Sequence, residues 1–543
     1  MIPGSAQEGP SVWGMTLRMW WPLTLVMAAS AMWAVLFYFQ GDLHPFEDAA
    51  MLLRYSEHVA SGQGIIWNPG GAPVDGATDF LFMMMVAGLS RLGLDVMGAA
   101  RLLTLCAHAV TIAYVYRMHI LRPSGTAVAA GLSALVVATG PGLHYCEALF
   151  GTTVFALAGL VTYRHFLRMI EDDARTATAT GFALAGIVTG LVRPEGVFLV
   201  AGMVASLLWH LRGAVRRVLV QRVLILFCLP GLVYFGWHWL YFGHPLPNPF
   251  YVKGGGSLYP SSLRASFMGV VKMGSVLLPF MAWAAWKRDS RRKTLLLYAP
   301  IFLFAVAWIL MSNAMNYCHR FQYILMPIMW VAWLPVVEGM RPGFSLRGRW
   351  LTVGLPLGAS VLLFHYLAYA SQPRTLPDGK VDLGKALSRW EGKGYSMAIT
   401  EAGNLPFFSR WRAVDAWGLN DAHIAHRGRV DAGYLDAYRP ALLMIHDYWS
   451  PGAEKLRPDP AWAEMTDSLE EYADGRGYEL VASWGRHSQS TLLYYLRKDL
   501  PDFDTLCVLI SNFPFYWTED GDLAENFLKC ESGKGNFVKE TAF

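Results

Sequence analysis

Apolar runs of about 20 residues, the length that crosses a ~30 Å hydrocarbon core, recur through the first two thirds of the chain between short polar loops. They fall at 20–40, 97–119, 125–142, 148–169, 178–192, 195–211, 218–242, 265–286, 294–312, 320–339 and 350–370, which predicts eleven membrane spans. DFLFMMMVAGLSRL (79–92) is too short to cross and predicts a helix along the interface. Beyond 370 the pattern changes. YSMAIT (395–400), ALLMIHDYW (441–449), YELVASW (478–484) and TLLYYLR (491–497) read as strands. KVDLGKALSRWEG (380–392) and WAEMTDSLEEYADGRG (462–477) have helical spacing. The expected fold class is a polytopic α-helical membrane protein over residues 1–370, with a soluble α/β or α+β domain over 371–543.

Composition fits that division. Of 543 residues, 54% are hydrophobic and 16% charged, and the net charge of +4 is too small and scattered to imply nucleic acid. The run at 20–39 is long for a signal peptide and only Arg18 precedes it as a positive charge, so it reads as a retained first helix. None of the six cysteines falls in a CxxC pair, which removes support for a zinc or redox site. Cys507 and Cys530 would form one disulfide in an oxidising compartment, two free thiols being the alternative.

Charge sets the orientation. With a cytoplasmic N-terminus, the inner loops hold Arg117 and Arg122; Arg164, Arg168 and Arg175; Arg212, Arg216 and Arg217; Lys287, Arg288, Arg291, Arg292 and Lys293; and Arg341, Arg347 and Arg349. The outer loops hold only Arg54, Arg91, Arg193, Lys253, Arg264 and Arg320. This follows the positive-inside rule. It predicts a multi-pass membrane protein with its first loop (41–96) and its C-terminal domain outside the cytoplasm.

On that outer face several ionisable groups gather: Glu47 and Asp48, Arg54, Glu147, Arg193 and Glu195, Lys253, and His319 with Arg320. Such groups are costly near hydrocarbon and mark cavities or pathways. Each also has a bland explanation. The acidic pair suits a helix N-terminus, Arg193-Pro194-Glu195 suits a turn, and His319-Arg320 suits anchoring at headgroups. Lys253, beside three glycines, suits a solvated loop. Their joint chemistry fits sugar transfer from a lipid phosphate. A carboxylate accepts the proton of an acceptor hydroxyl, and arginine and lysine meet the charge on the departing phosphate.

FEDAAMLLRYSEHVASGQGIIWNPGGAPVDGATDFLF (46–82), GLVRPEG (190–196), YFGHPLPNPFYVK (241–253) and ITEAGNLPFFSRWRAVDAWGLND (399–421) resemble, in order, motifs of GT-C fold glycosyltransferases. The likeness is greatest to the mycobacterial terminal arabinofuranosyltransferase family, AftB. The resemblance implies an enzyme using a polyprenyl-phosphate sugar, arabinofuranose or another pentose, with a cell-envelope glycan as acceptor. It implies a catalytic role for Asp48 and Glu47, and donor-phosphate or acceptor contacts for Arg54, Arg193, Glu195 and Lys253. His319 and Arg320 join that set by position alone. The sequence departs from the family in its first acid, Glu47, in Ala50, and in the GGAPVDGATD loop, which leaves the sugar open. The longer Glu47 side chain makes Asp48 the favoured acid. Many GT-C enzymes use a divalent cation, Mg or Mn, which the acidic pair could help hold. Arg and Lys can neutralise a phosphate without one, so no metal is assigned. Inversion suits a base; retention would need a nucleophilic carboxylate or front-face attack. The alternatives are a GT-C transferase acting on protein or lipid A, a transporter of lipid-linked sugars, and a non-catalytic glycan-binding protein. A transporter would place its marked residues near the midplane, often in two related halves, and this chain does neither.

Overall fold

The computed structural model describes residues 17–39, 43–171, 176–274, 277–338, 378–447, 459–487, 490–517, 523–526, 528–529 and 538–539. The expected span at 350–370 and Cys530 lie outside them. Among the described residues, four helices are long and apolar enough to cross a bilayer: Trp20–Phe37, Val96–Ile120, Gly213–Phe242 and Arg288–Leu310. Ala127–Thr139, Thr176–Val192, Gly196–His210 and Leu325–Glu338 are apolar but shorter. Side-chain caps fix two of these helix starts. Asp95 accepts from the Gly98 N–H and Thr126 from the Ala129 N–H, satisfying donors that have no partner inside the helix.

One expected span differs. The run 265–286 is not a single straight crossing but two helices, Pro260–Gly274 and Leu277–Trp286, at 98° to each other. Gly274 ends the first where space is short: a Cβ there would lie 3.1 Å from Leu278 Cγ and Met329 Sδ. The expected interfacial segment forms the helix Phe80–Arg91, whose Phe82, Met83, Val86 and Ala87 are buried against the protein.

After the membrane helices comes a mixed sheet. Strands β1 (Ser396–Ile399), β2 (Arg412–Asp415), β3 (Leu442–Asp447), β4 (Tyr478–His487), β5 (Ser490–Arg497) and β6 (Glu525–Asn526) lie in the order β2-β1-β3-β5-β4-β6. β1 runs parallel to β2 and β3, whereas β5 is antiparallel to β3 and β4. Alternate residues serve opposite faces. Ala398, Val414, Leu443 and Ile445 pack with Leu469 and Tyr472 of the helix Pro460–Gly475. Met397, Ile399, Leu442 and Met444 join the apolar core that continues into the membrane helices.

The first loop also meets this sheet. β2 is an edge strand, and an open edge invites pairing. Here Asn68 acts as the missing neighbour, its Oδ1 accepting from the Ala413 N–H (2.9 Å) and its Nδ2 donating to the Ala413 carbonyl (2.8 Å). Trp67 Nε1 donates to the same carbonyl at 2.9 Å. Loop and sheet are thereby fixed to each other.

Candidate active site

The helix Glu47–Ala60 begins immediately after Phe46, whose ring packs on Phe150 (5.4 Å) and Tyr317 (4.7 Å) and whose N–H donates to the Ala148 carbonyl. Successive residues of a helix point about 100° apart, so the two acids of the first turn meet different surroundings. Asp48 faces a cavity of about 440 Å³ and Glu47 faces the sheet domain. The cavity wall carries three carboxylates, Asp48, Asp79 and Glu195, and three cations, Arg193, Lys253 and Arg320.

Each charged group reaches the cavity from a different connection. Arg193 and Glu195 come from the tight turn between the helices Thr176–Val192 and Gly196–His210. Lys253 ends the short helix Asn248–Val252, whose first N–H donates to the Asp75 carbonyl at 3.0 Å. Tyr259 donates to the Lys253 carbonyl at 2.5 Å. Arg320 follows a run of left-handed backbone at Met315 (φ 61°), Cys318 (φ 48°) and His319 (φ 59°). Non-glycine residues held there cost about 1 kcal/mol or more each and persist where the surroundings enforce them. Asn316 supplies part of that enforcement, accepting from the Phe321 N–H and donating to Gln322 Oε1.

The charges are paired unevenly. Arg193 donates to Glu195 (2.7 Å) and Asp79 (3.2 Å), with all three side chains at most 9% exposed. Burial opposes the Arg193 charge, but Asp79 and Glu195 more than offset it and hold its pKa above the ordinary value. Asp79 is itself pushed up by burial, with Arg193 pulling the other way. Arg320 Nη2 donates to Asp48 Oδ2 at 2.5 Å. Its guanidinium lies 4.1 Å from the Phe150 ring centre and 5.0 Å from that of Phe321, which stacks on Trp308. Lys253 has no carboxylate within 4.0 Å among the described residues, and its Nζ reaches only the Ala314 carbonyl at 3.5 Å. Burial lowers the Lys253 pKa, and Asp48 works against that fall.

Three of the sequence candidates do not line this cavity. Glu47 Oε1 accepts from the Gly403 and Asn404 N–H groups at 2.9 and 3.1 Å, and Oε2 lies 3.3 Å from Lys380 Nζ. Lys380 also binds Glu401 (2.7 Å), which holds His446 Nδ1 at 2.6 Å. Burial pushes the Glu47 carboxyl up to about 7 despite Lys380, while Lys380 and His446 keep Glu401 low. The contact is close enough to require glycine, since a Cβ on Gly403 would lie 2.2 Å from the Glu47 carbonyl oxygen. Arg54 is buried at the same seam. It donates to the carbonyls of Trp67 (2.9 Å), Pro406 (2.5 Å) and Trp411 (2.9 Å) and to Asn68 Oδ1 (3.2 Å), and burial lowers its pKa to about 10. His319 lies in the strained turn, its Nδ1 beside Gly269, outside the cavity lining.

Asp79, at the position preceding the helix Phe80–Arg91, belongs to the cavity and was not among the candidates. Its signal was an acid directly before an apolar run, inside the GGAPVDGATD loop. From the sheet domain, Leu419 reaches the cavity. Its neighbour Asn420 accepts from Tyr55 at 3.0 Å and donates to Asp415, which organises this turn and whose own carboxyl burial raises to about 6. The acidic pair does not form one metal cradle, because its carboxylates are held by different partners on different sides of the helix. No cluster of three or more His, Cys, Asp or Glu side chains is set to hold an ion among the described residues.

A family model described as a domain of unknown function, DUF8728, matches residues 365–499. No curated protein matches the chain in sequence. Among solved structures, apo ArnT from Cupriavidus metallidurans matches with a TM-score of 0.56 and 15% identity over 88% of this chain and 98% of its own. The same protein bound to undecaprenyl phosphate matches with a TM-score of 0.51 and 13% identity over 87% of this chain and 97% of its own. The likeness is one of architecture: the chain has the GT-C fold of a helical membrane protein, as ArnT does.

Proposed function

We infer that the chain is a membrane glycosyltransferase taking a sugar from a polyprenyl phosphate. The observation that carries this reading is the cavity itself, in which the carboxylate Asp48 shares one wall with Arg193, Lys253 and Arg320. In a chain with the fold of ArnT, a protein solved with undecaprenyl phosphate bound, these groups suit a lipid-linked phosphate and an incoming hydroxyl. Asp48 accepts the proton of the acceptor hydroxyl as its oxygen forms a bond to the anomeric carbon. The bond from that carbon to the phosphate oxygen breaks, and the polyprenyl phosphate leaves with the electron pair. Lys253 and Arg320 meet the charge that develops on it. Arg193, held by two carboxylates, fixes the wall beside Asp79. Glu47 and Arg54 hold the sheet domain over the site rather than touching the donor.

The finer reading follows the motifs. The sugar is arabinofuranose or another pentose and the acceptor a cell-envelope glycan, at the outer face of a bacterial inner membrane. On the sequence reading of eleven spans and a cytoplasmic N-terminus, with 265–286 counted as one broken crossing, the C-terminal domain, residues 371–543, is outside the cytoplasm. The test is label transfer by the purified chain in lipid nanodiscs, with a panel of polyprenyl-phosphate sugars and an envelope glycan fraction. Transfer from a pentose donor is expected. Transfer from a hexose donor alone overturns the sugar, and donor binding without turnover across acceptor fractions favours a glycan-binding protein.

A further inference from the structure

Three features of the cavity do not follow from a site that merely binds phosphate. The proposed base is already occupied, with Asp48 Oδ2 taking a hydrogen bond from Arg320 at 2.5 Å. The cation that occupies it is incompletely satisfied, because Arg320 Nε is buried with no hydrogen-bond partner. The nearby Lys253 has no carboxylate partner within 4.0 Å among the described residues, so it can meet an anion without first giving up an ion pair.

We propose that Arg320 caps Asp48 in the empty enzyme and that the donor's phosphate, entering against Lys253, draws the Arg320 guanidinium away and frees the carboxylate. This rests on the lipid-phosphate reading of the same site. A phosphate offers several acceptor oxygens, which can take the unsatisfied Nε as well as an Nη of Arg320, a two-point contact the single hydrogen bond to Asp48 does not supply. Phe150 and Phe321, which face the guanidinium at 4.1 and 5.0 Å, hold its plane while its hydrogen-bond partner changes. No covalent bond is made or broken in the exchange. Its consequence is order: the acceptor hydroxyl meets a competent base only when a donor is in place, so a hydroxyl or water entering first is not activated.

The exchange makes Asp48 a competitor of the phosphate, which equilibrium binding can read without turnover. The probe is undecaprenyl phosphate, titrated into the full chain in nanodiscs for wild type, Asp48→Asn, Arg320→Gln and the double variant. Asp48→Asn should bind about tenfold more tightly and Arg320→Gln about tenfold more weakly, the scale of a partly buried ion pair. In the double variant the gain from Asp48→Asn should vanish, since there is no cap to release. Equal or weaker binding by Asp48→Asn overturns the inference. So does a gain that survives in the double variant, which would mean simple repulsion between Asp48 and phosphate. Absence of binding by the folded wild type would instead strike the polyprenyl-phosphate reading, and this inference with it.

Discussion

Arg54 was expected at the donor from the sequence, and the structure puts it at the seam between the first loop and the sheet domain. Replacing it with methionine separates these roles. Three buried carbonyls, those of Trp67, Pro406 and Trp411, would lose a charged donor, at about 1.5–3 kcal/mol each. Burying the guanidinium has a cost of its own, seen in a pKa lowered from 12.5 to about 10, and the variant recovers roughly 3 kcal/mol from that. The net loss of docking is about 1.5–6 kcal/mol, which spans the range for removing one partner from a buried charged network. Hydrogen exchange reads it locally. The Ala413 amide is held by Asn68, itself a partner of Arg54, and its exchange should accelerate by at least about tenfold if the seam opens as a unit. Unchanged exchange at Ala413 together with a raised KM for the donor would refute the reasoning and return Arg54 to the phosphate.

Other outcomes follow from the same geometry. Glu47, pushed from 4.5 to about 7 by burial, binds more protons folded than unfolded, so its contribution to stability is fully present below pH 4.5 and is lost as pH rises through 7. Melting temperatures between pH 4.5 and 8 should fall more steeply for wild type than for Glu47→Gln; parallel curves would contradict the assignment. Because burial lowers the Lys253 pKa below 10.5, binding of undecaprenyl phosphate should weaken at a lower alkaline pH than an ordinary lysine would give. Lys253→Arg should move that fall upward, and an unmoved profile would remove Lys253 from the phosphate. Gly76→Ala would place a Cβ 2.3 Å from Asn420 Oδ1 and 2.5 Å from Tyr55 Oη. It should destabilise the chain by about 1–3 kcal/mol, measurable as a lower melting temperature, whereas a neutral effect would show that this seam can relax.

What the sequence made legible was local. Spans such as 97–119 and 218–242 announce themselves because a long, mostly apolar helix needs only its own backbone hydrogen bonds. Strands near 441 and 491 are legible as runs of Leu, Ile and Tyr. The break of the 265–286 run into two helices was not legible, because the run is apolar on both sides of Gly274. The site divides the same way. Asp48, Arg193, Glu195, Lys253 and Arg320 sit in loops or at helix ends where a charge stands out against apolar flanks, and all reach one cavity. Glu47 and Arg54 look equally conspicuous in sequence, but their partners are Gly403, Lys380, Pro406 and Trp411, more than three hundred residues away. Nothing local tells a residue that faces a cavity from its neighbour that faces a domain seam. Asp79 was overlooked for the converse reason: an acid before a helix reads as an ordinary cap, although its side chain makes no cap hydrogen bond here and binds Arg193 instead.

The central claim is that Asp48 is the acid that works on the acceptor while its neighbour Glu47 holds the sheet domain. Label transfer from a polyprenyl-phosphate sugar, compared for wild type, Asp48→Asn and Glu47→Gln in nanodiscs, tests it most directly. Asp48→Asn should lower kcat by at least about 100-fold, the scale of a lost general base, with donor binding retained or tightened, and Glu47→Gln should keep most of the wild-type rate. Transfer abolished by Glu47→Gln in a folded, donor-binding protein, with Asp48→Asn active, would contradict it.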